Sequence, residues 1–172
     1  MQEVTTLTLE EGRAKFIETW GMVGSHWGIN RTMAMIHALL LVSAEALSAE
    51  EVMDALNISR GNANMNLRAL IDWGLVHKSL KPGERREYFT AEKDMYTITK
   101  AVIRQRKKRE LEPLLRVLDE LSTVDGDGDE EQEFRDVVRD IKLFSNKADS
   151  TLETLMNSNA EWFVSTFMRL AR

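Results

Sequence analysis

Residues 59–90 read SRGNANMNLRALIDWGLVHKSLKPGERREYFT, and this stretch decides the fold. Ser59 has the chemistry of a helix N-cap, since its hydroxyl can accept from a backbone N–H that lacks a partner within the helix, and Gly74 is suited to end that helix. Between them Ala63, Leu67, Leu70 and Ile71 recur at the 3.6-residue period and define an inward face. The opposite face carries Gly61, Asn62, Met65, Arg68 and Asp72, with Arg60 and Asn64 at its flanks. Beyond Gly74, residues 75–80 alternate, residues 81–84 (KPGE) are turn chemistry, and residues 85–90 have the aromatic and β-branched content of a returning strand. A helix followed at once by a β-hairpin is expected.

Asparagine is a poor interior helix residue because its amide competes for backbone hydrogen bonds, so Asn62, Asn64 and Asn66 in one short helix need an explanation. Base recognition supplies one: in the major groove an Asn amide offers a donor and an acceptor to adenine, and an Arg fork does the same for guanine. The helix alone does not decide between this and a solvated surface with idle polar groups. The hairpin adds Lys81, Arg85 and Arg86, groups suited to a phosphate backbone or a minor groove. Within residues 59–90 six basic residues stand against three acidic ones, in a chain whose formal net charge is −5. Arg60, Asn62, Asn64, Met65, Arg68, Lys81, Arg85 and Arg86 are therefore the candidate DNA-binding residues, with Met65 placed to meet a thymine methyl.

Upstream, residues 48–57 begin with Ser48 and Glu51 three positions on, the reciprocal capping box, followed by Val52, Met53 and Leu56 facing inward. A very short link then leads to Ser59, so two short helices meet at a tight turn, a helix-turn-helix with a wing behind it. Residues 30–43 are apolar nearly all round, and a buried helix capped by Asn30 is expected. Residues 10–27 place Ala14, Ile17, Gly24 and Trp27 at helical spacings, with Gly21 and Gly24 pointing to a close helix crossing. From residue 91 onward the pattern is long and helical, interrupted at Pro113 and by the charged run at 104–109, whose exposed charges are read as pairing with Glu110, Glu112 or an acidic loop. Residues 123–133 are a polar, glycine-containing connection; their spaced aspartates lack the glycine and terminal glutamate of a calcium loop. A sustained apolar stripe then runs over residues 134–170, as if on one helix roughly 60 Å long. No domain of this size buries such a stripe alone, so a homodimer is expected.

The fold class read from the chain is mainly α with a small β-hairpin wing: a winged helix-turn-helix DNA-binding domain over 1–94 and a helical dimerisation region over 95–172. With 172 residues, no cysteine, and His26, His37 and His77 far apart, there is no disulfide framework, metal motif or catalytic constellation. No enzyme, cofactor or metal is expected. The N-terminus lacks the basic and apolar regions of a signal peptide, and the longest apolar run, residues 38–42, falls far below a membrane span. The reading is a cytoplasmic protein with no membrane partner.

Residues 71–96, IDWGLVHKSLKPGERREYFTAEKDMY, together with the serine at 59, resemble the recognition helix and wing of the MarR superfamily of winged-helix regulators, and in particular its GbsR-type branch. The similarity extends more faintly through residues 9–41. The resemblance implies a dimeric transcriptional regulator, usually a repressor released or tuned by a small molecule; the branch includes choline-responsive repressors of genes for glycine betaine synthesis and uptake. A quaternary ammonium needs aromatic faces, and Trp20, Trp27 and Trp162 are the candidate effector-binding residues. The rival to a double-stranded DNA operator as partner is a protein-interaction module that uses the winged helix as a scaffold and the long helices as its docking surface.

Overall fold

The computed structural model describes residues 6–159, 161, 162 and 165, and divides into two compact units, Met1–Met95 and Tyr96–Arg172. The first unit contains helices α1 (Leu9–His26), α2 (Arg31–Val42), α3 (Ala49–Leu56) and α4 (Arg60–Asp72), with strands β1 (Leu47–Ser48), β2 (Val76–Leu80) and β3 (Glu87–Ala91). The strands form one antiparallel sheet in the order β1-β3-β2, with Val76 opposite Ala91, Leu80 opposite Glu87 and Leu47 opposite Phe89. The hairpin is the expected one. The two-residue β1, which carries no alternation to read, joins the far side of β3.

Helix boundaries follow local chemistry. Thr8 and Glu11 cap α1 reciprocally, Ser48 and Glu51 do the same for α3, Asn30 Oδ1 accepts from the Met33 N–H at 3.1 Å to start α2, and Ser59 Oγ accepts from the Asn62 N–H at 3.3 Å to start α4. α3 ends on Asn57 in the left-handed region, φ 49°, where a short amide side chain is tolerated. Gly74, φ +72°, closes α4: the Leu75 N–H reaches the Leu70 carbonyl at 2.9 Å and the Gly74 N–H the Ile71 carbonyl at 2.8 Å. That closure drops Leu75 and Val76 straight into the core.

The core centres on α2, where Ile36 and Ala38 are wholly buried, with Val52 of α3, Ala63, Leu67 and Leu70 of α4, and Phe89 and Ala91 of β3. α1 crosses α2 at its two buried glycines: a Cβ on Gly24 would stand 2.6 Å from Ala34 Cβ, and one on Gly21 2.6 Å from Met35 Cγ. The expected close crossing is present.

The same packing buries His37, 5% exposed, with Trp20 6.5 Å away ring to ring and no hydrogen-bond partner at Nε2 among the described residues. Burial pushes its imidazole down to about 4. An unfolded chain takes up that proton near pH 6.5 and the folded chain only near 4, so the stability His37 contributes as a neutral group is complete above pH 6.5 and is lost as pH falls toward 4. The loss at pH 5 should be about 2 kcal/mol. Glu11 and Glu51 lie below the usual carboxylate range, mainly through the backbone N–H groups of Thr8 and Ser48, and their contributions disappear only at lower pH. Urea unfolding of the His37→Leu variant at pH 8 and pH 5 should show the slope flattened; equal losses in variant and parent would assign the slope to other groups.

The second unit holds α5 (Met95–Arg106), a π-helical turn (Lys107–Leu111), α6 (Glu112–Leu121) and α7 (Asp129–Asn157). Pro113 lies in the first turn of α6, where its missing N–H and its ring would disturb a regular helix, and the wider π turn just before it absorbs the conflict. Arg106 pairs with Glu110 at 3.2 Å as expected of the charged run, whereas the Lys107 side chain, in the π turn, is largely covered. Its Nζ lies 2.7 Å from Glu153, 3.1 Å from Asp149 and 3.9 Å from Glu112, and the Glu153 carboxylate raises its pKa. The polar connection before α7 is held by Arg135, which donates to the Val124 and Gly126 carbonyls.

The apolar stripe of α7 divides into two. Val138, Ser145 and Met156 are buried, whereas Phe134, Val137, Ile141 and Phe144 are exposed, Phe144 at 76%. The expected continuous helix does not form: α7 stops at Asn157, and Ser158 is extended at φ −72°, ψ 163°. Phe163, Phe167 and Leu170 of the stripe lie outside the described residues. No helix among the described residues is long and apolar enough to cross a membrane.

Candidate nucleic-acid interface

α4 presents Arg60, Gly61, Asn64, Met65, Arg68 and Asp72 to solvent, with Met65 59% exposed. Asn62 and Asn66 are less open than these. Asn66 is 3% exposed, on the inward face beside Ala63, Leu67 and Leu70, and Asn62 is half-buried. The Asn66 amide nitrogen donates to the Asn62 backbone carbonyl at 2.9 Å and to Asn62 Oδ1 at 2.7 Å. Asn66 is thus explained by an internal bond, and Ile71, expected inside, is only half-buried.

The hairpin sets Lys81, Arg85 and Arg86 on an exposed turn and strand entry. Lys81 Nζ sits 3.9 Å over the ring of Tyr88, and the Tyr88 hydroxyl donates to Glu84 Oε2 at 2.5 Å, which raises the Tyr88 pKa. Lys78 pairs with Glu87 across the strands at 2.8 Å. At the base of the hairpin the Glu92 N–H donates to the Leu75 carbonyl at 2.9 Å, and Lys93 Nζ donates to the Ser43 carbonyl at 2.9 Å. The hairpin is therefore anchored at its root.

Glu50, in the first turn of α3, stands close to both helix and hairpin. Its two carboxylate oxygens stand 3.9 Å from Arg60 of α4 and 3.9 Å from Arg86 of the hairpin. The neighbouring Glu51 is held below the usual range first by the Ser48 backbone and then also by the charges of Lys81 and Arg86. The starts of α3 and α4 and the entry to β3 thus share one surface, on which Arg60, Lys81 and Arg86 are the cations. Sequence reading missed Glu50, because nothing local marks a contact made 36 positions along the chain, as Arg86 is from Glu50. The Asn66 contact left a trace, its four-residue spacing from Asn62, which is one helical turn.

Of the three candidate tryptophans, Trp20 and Trp27 belong to the first unit and Trp162 to the second. Trp20 packs against Phe16, ring centroids 5.4 Å apart, and against His37. Trp27 caps α1 and is 61% exposed. Trp162, in the second unit, lines an open cleft of about 520 Å³ together with Glu153, Thr154, Asn157, Ser158 and Asn159. No group of three or more metal-ligating side chains is found among the described residues.

No family model and no curated protein matches the chain. Among solved structures the chain is similar to a crystal structure of a transcriptional regulator, over 83% of this chain and 99% of that one, at 23% identity and a TM-score of 0.55. At that identity the likeness establishes a shared fold, which in this chain is mostly helical with a small three-stranded antiparallel sheet.

Proposed function

We propose that this chain is a dimeric, sequence-specific DNA-binding transcriptional regulator. It is a winged helix-turn-helix of the MarR superfamily and its GbsR-type branch, acting as a repressor tuned by a small molecule. The observation that carries this reading is proximity: Arg60 at the start of α4 and Arg86 of the hairpin lie on one surface, each 3.9 Å from a carboxylate oxygen of Glu50. α4 would enter the major groove with Asn62, Asn64, Met65 and Arg68, while Lys81, Arg85 and Arg86 track the backbone or minor groove. Dimerisation is supported by the exposed side chains Phe134, Val137, Ile141 and Phe144 at three- and four-residue spacings on α7, to which α6 adds exposed Leu114 and Val117. Two copies then read two half-sites about one helical turn apart. For the small molecule, the open cleft at Trp162 is the candidate site in the second unit.

Selection of duplexes from a random pool at two salt concentrations tests the DNA reading. Arg68→Ala is expected to lose about 1–3 kcal/mol on the selected duplex and to relax preference at one base position. Arg85→Ala should weaken all sequences alike and lower the salt slope by about one unit. A chain that enriches no duplex even at low salt is a protein-docking module instead, and an unaltered base profile in Arg68→Ala removes that residue from base reading.

A further inference from the structure

Asn66 is a buried amide on an otherwise apolar helix face, and its side-chain nitrogen donates twice to Asn62. The backbone carbonyl of Asn62 can only accept, so the 2.9 Å contact fixes which end of the Asn66 amide is nitrogen. The second hydrogen of that nitrogen, 2.7 Å from the Asn62 side chain, then requires an acceptor there, which fixes Asn62 in turn. Its Oδ1 faces Asn66, and its NH2 is the end left for other contacts. Turning Asn62 over would set two NH2 groups against each other and strand a buried donor.

We propose that Asn66 is a positioning residue that holds Asn62 as a hydrogen-bond donor toward DNA, and so determines which bases Asn62 accepts. The proposal rests on the DNA reading above. An unconstrained asparagine uses its oxygen and nitrogen together on adenine, whose major-groove edge pairs the N7 acceptor with the N6 donor. With its oxygen turned back to Asn66, Asn62 matches edges that only accept: guanine, with N7 and O6 side by side, and thymine through O4. Cytosine offers a donor there and is disfavoured. Asn66 thus acts on specificity from inside the helix, without touching DNA.

The test compares full-length parent, Asn62→Ala, Asn66→Leu and Asn66→Ser by selection from randomised duplexes, with a thermal melt on each. Asn62→Ala marks the base position that Asn62 reads. Leucine removes both bonds while filling the same core space. A serine hydroxyl has one proton, so when it serves the carbonyl one turn back it has none left to donate to Asn62 Oδ1, and its lone pairs would accept from the Asn62 NH2 instead. At the marked position the parent is expected to prefer guanine over adenine by about tenfold. Both Asn66 variants should bring the two within about twofold and leave the other positions unchanged, however far their melting temperatures move. Retention of the parental preference in both variants, a parental preference for adenine or cytosine, or no position marked by Asn62→Ala would overturn the proposal. If the parent enriches no duplex at all, the DNA reading falls and this proposal falls with it. If Arg68→Ala still alters the profile while the Asn66 variants do not, the DNA reading stands and only this proposal is lost.

Discussion

Glutamate at both Ile141 and Phe144 of α7 is expected to leave a folded chain that sediments as a monomer and no longer holds operator DNA. Within one chain these side chains are 45% and 76% exposed, so charging Phe144 removes little packing from the second unit, and at Ile141 the exposed part of the side chain lets a carboxylate reach water. In a twofold dimer the same residues meet water-excluding partners on the other copy, and each large apolar side chain so covered contributes about 1.5–3 kcal/mol. Scaled by the exposed share of each, two of them on each of two copies represent roughly 4–7 kcal/mol, about a thousandfold or more in dimer affinity. Leu152 is a less discriminating choice, because it is half-buried in the chain itself and a charge there would also unsettle α7. Sedimentation gives the mass, circular dichroism the helix content, and operator binding the consequence. Parent protein that is itself monomeric and still binds its operator tightly would refute the assignment of this face.

The second large effect is expected at the crossing of α1 and α2. Gly24→Val would place a Cβ 2.6 Å from Ala34 Cβ, and two backbone-anchored carbons cannot rotate apart. α1 would have to move outward along its whole contact with α2, beside the buried His37. Overpacking of this kind costs about 1–3 kcal/mol, and the loss here should be at the top of that range or beyond it, well above the helix-propensity gain from replacing a glycine. Gly21→Ala is the informative contrast, since its nearest neighbour is Met35 Cγ, part of a flexible side chain that can swing away. Its cost should fall largely within the roughly 1 kcal/mol that alanine returns to the helix. Urea midpoints for the two variants measure the difference; a Gly24→Val midpoint within experimental error of the parent would mean that the crossing is looser than the geometry states.

Both effects depend on features of different legibility. The sequence alone determined what is written in bonds between residues a turn apart: the caps at Asn30, Ser48 and Ser59, the stop at Gly74, the hairpin turn at 81–84 and the inward residues Ala63, Leu67 and Leu70. Gly21 and Gly24 also announced a close crossing, because glycine inside a helix is unfavourable unless something approaches it. Tertiary structure decided the rest. A 3.6-residue period tells that a side chain is apolar and on a stripe, but not whether a neighbouring helix covers it. Val138 and Met156 are therefore buried while Ile141 and Phe144 on the same helix are open. The extended Ser158 ends a helix whose apolar pattern continues past it, since the pattern records burial and the backbone conformation is set by local geometry. Asn66 belongs to the core rather than to the exposed face, and Glu50 joins Arg60 to Arg86, because the folded chain brings α3, α4 and β3 to one place. Contacts between residues so far apart in sequence have no periodic signature, and only the packed chain fixes them.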